Sequence, residues 1–183
     1  MVPEIQQLTY GLIIPLPVSD TYWSNIRKGD VLADVIELQI PLSIIGFERG
    51  GFDGLAADYI TREYCTAKSS THLPIILGFR LADQHSDPSD QAQECYLDAL
   101  YHCLRLAPDY LCVDLLQDPK MIQQLMAVKG GTRIIAECAE SRDYRDWTSQ
   151  IWRERVTLAE TIGADAVRLR QEATTIADNF AVR

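Results

Sequence analysis

The chain has 183 residues, 47% of them hydrophobic and 23% charged, the balance of one folded globular domain rather than of a disordered or fibrous chain. Its 26 acidic against 17 basic residues give a formal charge of −9, and no short run is rich in Lys and Arg, which argues against direct nucleic-acid binding. The opening stretch Val2–Leu16 is broken by Glu4, Gln6, Gln7 and Pro15 and has no basic segment ahead of an apolar core, so neither a membrane span nor a secretory leader is expected.

Met1-Val2-Pro3 leads within a few residues into a first apolar run, as expected of a segment taken from a longer chain. In order, the strands predicted are Tyr10–Pro15, Val35–Ile40, Pro74–Arg80, Tyr110–Leu115, Thr132–Cys138 and Ala164–Leu169, each an apolar run ending in or soon followed by a polar residue. Between them, apolar positions recur at helical spacing. Leu55–Lys68 aligns Leu55, Tyr59, Ile60 and Tyr64, and Gln91–Ala107 aligns Cys95, Leu97, Leu100, Leu104 and Leu106. Lys120–Lys129 and Trp152–Ile162 are shorter helices of the same kind. Loops fall at Arg49-Gly50-Gly51, at Asp83–Asp90 and at Gly130-Gly131.

This alternation predicts about six βα units around a parallel sheet. Six units suit either an open doubly wound sheet or most of a (β/α)8 barrel. Neither Gly50-Gly51 nor Gly130-Gly131 has the G-x-G-x-x-G spacing of a dinucleotide turn. The five cysteines, Cys65, Cys95, Cys103, Cys112 and Cys138, are odd in number and irregularly spaced, four of them within apolar patterns. They read as small buried hydrophobes, with no disulfide framework, metal site or cofactor expected.

Five segments in order then resemble the class I 3-dehydroquinate dehydratases, above all the form found in the fungal arom protein. GDVLADVIELQIP is similar to the family's second strand with its Glu-Leu-Arg, and LPIILGFR to the third, which ends in Thr-x-Arg. APDYLCVDLL resembles its Tyr-Ile-Asp-x-Glu strand, and GGTRIIAECAE its Lys-Ile-Ile-Ala-Ser-x-His-Asp stretch. GADAVRLRQEATTIADNF resembles Asp-Ile-Val-Lys-Leu and the Asp-Asn segment beyond it. The resemblance runs from about Tyr10 to Phe180 and implies a truncated TIM-type barrel, partial and open, with residues 1–183 as a single domain.

The family's chemistry needs a lysine amine that attacks a ketone to form an imine and a histidine that moves protons. By the resemblance the lysine position is Arg168, whose guanidinium has no nucleophilic lone pair. The histidine position is Ala139, beside Cys138 and Glu140. Gln39 stands for the Arg of Glu-Leu-Arg, and Leu116 for the Glu of the fourth strand. Glu37, Arg80 and Asp114 survive at strand ends, either as vestigial active-site positions or as a structural ion-pair network that Arg168 joins. The histidines His72, His85 and His102 read as solvated or helix-surface side chains.

The resemblance therefore implies a catalytically inactive, pseudoenzyme form. A fungal repressor of quinate-utilisation genes carries such a dehydratase-like domain, which implies protein contact with the pathway's transcriptional activator, a quinate-pathway metabolite as signal, and a nuclear or cytoplasmic location. The alternatives are an active Schiff-base dehydratase of the shikimate pathway and a packing-only remnant of one. Without two final strands the barrel edge is expected to be open, and to be covered by a homodimer partner or by the chain's own ends, Val2–Leu8 and Ala173–Val182.

Overall fold

The computed structural model describes residues 11–18, 20–27, 32–45, 51–80, 90–140 and 146–171. Six strands, β1 (Gly11–Pro15), β2 (Val35–Pro41), β3 (Ile75–Arg80), β4 (Tyr110–Asp114), β5 (Arg133–Glu140) and β6 (Ala166–Gln171), lie in chain order in one sheet. Every neighbouring pair is parallel. Helices α1 (Asp20–Arg27), α2 (Gly54–Ser70), α3 (Asp90–Arg105), α4 (Pro119–Val128) and α5 (Gln150–Ile162) form the crossovers. The architecture is an open half-barrel, the truncated TIM-type barrel expected. Among the described residues β1 and β6 are its two edges, where Ile13 is 50% and Val167 36% exposed. Both chain ends named as possible cover lie outside the described residues.

Strand alternation divides the sheet into two faces. Ile36, Leu38 and Ile40 of β2, Ile75, Leu77 and Phe79 of β3, and Leu111 and Val113 of β4 pack under the helices with Ile60, Leu100 and Leu125. Ala136 and Cys138 of β5 pack with Trp152 and Ala159 of α5. Cys95, Cys103, Cys112 and Cys138 are buried and Cys65 is exposed, so four thiols serve as apolar filler. Among the described residues no helix is long and apolar enough to cross a membrane.

The helix boundaries follow local chemistry. The Asp53 side chain accepts from Ala56 N at 2.8 Å and starts α2, and Asp118 does the same for α4 through Lys120 N, with Pro119 in the first turn. Gly163 ends α5 at φ 77°, a left-handed conformation that glycine adopts without a Cβ clash. α1 was not expected, because its eight residues show only Trp23 and Ile26 as buried apolar positions, too few to set a period. Ala107, predicted inside a helix, instead has φ 50° just beyond α3.

One device recurs at the amino end of the sheet. Asp109, just before β4, accepts from Ile75 N at the start of β3 (2.9 Å) and from Lys68 Nζ near the end of α2 (3.0 Å). Asp165, just before β6, accepts from Ile134 N in β5 (2.8 Å) and from Lys129 Nζ just after α4 (2.5 Å). Each aspartate ties its own strand to the one before it and to the helix end that feeds that strand. The same clamp thus serves two units with no sequence repeat to announce it.

Candidate functional site

On the face away from the helices, the residues nearest the amino end are apolar: Ile76, Cys112 and Ile135, with Val35 and Tyr110 against them. Two residues farther along β2 and β5, past Val35 and Ile135, the same face turns ionic; Glu37 is the third residue of β2, not at the strand's carboxyl end where it is expected. Glu37 of β2 is buried to 4% and Glu137 of β5 to 2%, a burial that carboxylates tolerate only when paired. Arg168 of β6 supplies the pairing. Its Nη2 lies 2.8 Å from Glu37 Oε2 and its Nη1 donates to Glu37 Oε1 at 2.9 Å, a two-toothed contact. The same Nη1 is 3.9 Å from Glu137 Oε2. Arg170 completes the group with Nε 2.5 Å from Glu137 Oε1, in ion-pair contact but without the alignment of a hydrogen bond. Two carboxylates and two guanidiniums balance.

Neighbouring side chains are fitted to this cluster. Gln39 Nε2 donates to Glu37 Oε1 at 3.3 Å. Gly78 of β3 lies beneath it, where a Cβ would stand 3.4 Å from both Glu37 Oε1 and Cys112 Cβ, in ordinary contact, and a larger side chain would crowd the carboxylate. Burial works against the charge of Arg168, but the hydrogen bond to Glu37 and the surrounding negative groups outweigh it and hold its pKa above the ordinary value. Burial pushes the Glu137 carboxyl above its usual range, against the pull of Arg170 and Arg168. Burial likewise raises the Cys112 thiol well above its ordinary value, so the thiol stays neutral.

The expectation that Glu37, Arg80, Asp114 and Arg168 converge within salt-bridge reach is met by one pair, Glu37 and Arg168. Arg80 and Asp114 end β3 and β4, at the same end of the sheet, but among the described residues neither is ion-paired to Glu37 or Arg168. The buried Asp114 carboxylate turns to its own loop, accepting from Leu116 N and from Gln117 Nε2, each at 2.9 Å. Its backbone N–H donates to the Tyr96 hydroxyl of α3 at 3.1 Å. Desolvation raises the Asp114 pKa despite those two bonds. Ala139 is half-buried, two residues beyond Glu137 and in register with Arg170. Leu116 is half-exposed in the turn after β4.

Sequence reasoning missed Glu137 and Arg170. Their signal was a charge inside an apolar strand at even spacing from residues already singled out, Glu137 two before Ala139 and Arg170 two after Arg168. His102 sits on α3, its Nε2 2.9 Å from Thr61 Oγ1 of α2 and its ring 5.6 Å from that of Phe52. Burial and Arg105 lower its pKa, so it is a neutral link between helices. His72 is exposed and His85 lies outside the described residues. The described lysines, Lys68, Lys120 and Lys129, all stand at helix ends, and no group of three metal-ligating side chains exists among the described residues.

A model of the type I 3-dehydroquinase family matches residues 13–183. The chain belongs to the type I 3-dehydroquinase family. It is 29% identical over 181 residues to the quinate repressor protein of Emericella nidulans, covering 98% of this chain and 20% of that protein. It is 25% identical over 187 residues to the pentafunctional AROM polypeptide of Malassezia globosa, covering 96% of this chain and 11% of that one. The chain therefore spans a fifth or less of the length of these relatives.

Solved structures of dehydroquinases share the fold. The dehydroquinate dehydratase and shikimate dehydrogenase of S. pombe AroM superposes with a TM-score of 0.73 at 20% identity, covering 97% of this chain and 33% of that one. The type I 3-dehydroquinate dehydratase of Clostridium difficile gives 0.69 at 12% identity, over 95% of this chain and 67% of that one. The six strands of this dehydroquinase-like domain thus align with a large part of a dehydroquinase rather than with a doubly wound sheet.

Proposed function

We propose that this chain is a catalytically inactive dehydroquinase-like domain, part of a longer multidomain repressor of quinate-utilisation genes. The observation that carries the reading is the state of Arg168. It stands at the lysine position of the family motif, it keeps its proton, and its guanidinium is engaged by Glu37 and approached by Glu137. A guanidinium so held can orient and neutralise carboxylates, but it has no free electron pair with which to attack a ketone. Ala139, at the histidine position, can neither take nor give a proton. The likeness to the quinate repressor supports the regulatory half of the reading.

In this reading the domain acts in the nucleus or cytoplasm by contact with the pathway's activator protein, with a quinate- or shikimate-pathway metabolite as its signal. The open edge beside β1 and β6 is a surface through which a second copy of the domain could associate. The test is incubation with dehydroquinate and borohydride, followed by mass measurement of the intact chain. The expected result is an unchanged mass and no turnover. A trapped adduct on any residue would overturn the pseudoenzyme assignment and favour an active Schiff-base dehydratase.

A further inference from the structure

A barrel keeps its curvature because its last strand bonds to its first. Among the described residues β1 and β6 each pair with one neighbouring strand, and backbone pairing of these six strands alone would let the sheet relax toward a gentler twist. Neighbouring strands lie about 4.8 Å apart, so β2 and β6, four steps removed, would be about 19 Å apart in a flat sheet. An Arg and a Glu side chain cannot span that gap, yet the carboxylate of Glu37 and the guanidinium of Arg168 meet at 2.8 and 2.9 Å. The contact exists only because the sheet is curled.

We propose that Glu37 and Arg168 form a clasp that ties β6 to β2 across the inside of the curled sheet. The strands between them are shaped for it. Gly78 in β3 has no side chain where the Glu37 carboxylate leans over it, Cys112 in β4 is small, and Glu137 in β5 accompanies the guanidinium at 3.9 Å. Arg170 meanwhile neutralises Glu137, leaving Arg168 to reach across to β2. The clasp joins residues 131 apart in sequence and secures a strand that, among the described residues, pairs only with β5. It stands whether or not the domain is regulatory, since it rests on the contact and the topology.

Hydrogen exchange of the backbone amides tests it in the whole chain. Arg168→Met should speed exchange in Ala166–Gln171 by about ten- to a hundredfold, while Ile36–Ile40 and Ile75–Phe79 stay close to the parent. Gly78→Val keeps every charge but fills the space under the Glu37 carboxylate, and should loosen the same strand. The double variant Glu37→Gln with Arg168→Met should exchange no faster in β6 than Arg168→Met alone, because both remove one contact. Arg168→Lys, which retains a positive charge and guards against a variant that does not fold, should show the same pattern in weaker form. Unchanged β6 protection in Arg168→Lys and Gly78→Val, or multiplying effects in the double variant, would overturn the clasp.

Discussion

The two ends of the sheet use the same kind of ion pair for different ends. At the amino end, Asp109 with Lys68 and Asp165 with Lys129 stand partly in solvent, with side-chain exposures of 39% and 50% in the first pair. On the concave face, Glu37 and Glu137 are sealed from water and meet arginines. In the exposed clamps the ion pair adds little, and the aspartate's bond to a strand N–H sets register. In the buried cluster neither sign can be removed without stranding the other. Exposure, rather than charge, decides what such a contact is worth.

That comparison can be broken from both sides. The largest effect is expected from Glu37→Gln, which leaves the Arg168 guanidinium without its close carboxylate. We expect a loss of about 2–4 kcal/mol in urea unfolding, and an effect below about 1 kcal/mol would place this cluster with the surface clamps. Asp165→Ala comes next, at about 1–2 kcal/mol, since it frees the Ile134 N–H as well as Lys129. Lys68→Ala should cost under about 1 kcal/mol and less in high salt. A loss that equals that of Asp165→Ala would mean the ion pair, and not the backbone bond, is the working part of the clamp.

The pH dependence should differ in sign between the two ends. The bonds from Lys129 and Ile134 N hold the Asp165 carboxyl below its ordinary range, so its contribution is present above the unfolded value and lost as pH falls through the depressed folded one. Glu137 is shifted upward by burial, so folding binds a proton there, and stability declines as pH rises from the ordinary glutamate range through the raised folded value. Glu137→Gln should flatten that decline, and Asp165→Asn should flatten the acid limb instead. Stability curves in which both variants alter the same limb would contradict this division.

Most of the scaffold was legible in the residues. All six strands appear where apolar runs predicted them, and β2 and β3 begin and end within one residue of expectation, because strands covered on both faces read as nearly continuous apolar runs. β6 lies two residues later than expected, at Ala166–Gln171 instead of Ala164–Leu169. The Gly163 cap uses up Ala164, whose N–H bonds back to Ala159 O, and Asp165 is held by its clamp. The apolar residues alone could not register that delay. The site was legible as positions rather than as partners: Glu37 and Arg168 were named together with Arg80 and Asp114, but only the first two meet.

Sequence alone determined the order of elements and the parallel sheet, because these follow from local periodicity and short connections. Tertiary structure decided the rest: which carboxylates Arg168 meets, that Asp114 turns to its loop, and that Glu137 and Arg170 join the cluster. Those outcomes depend on curvature and burial, which arise when six strands wrap together and bring β2 against β6. No pattern within a single strand encodes the distance to a side chain four strands away.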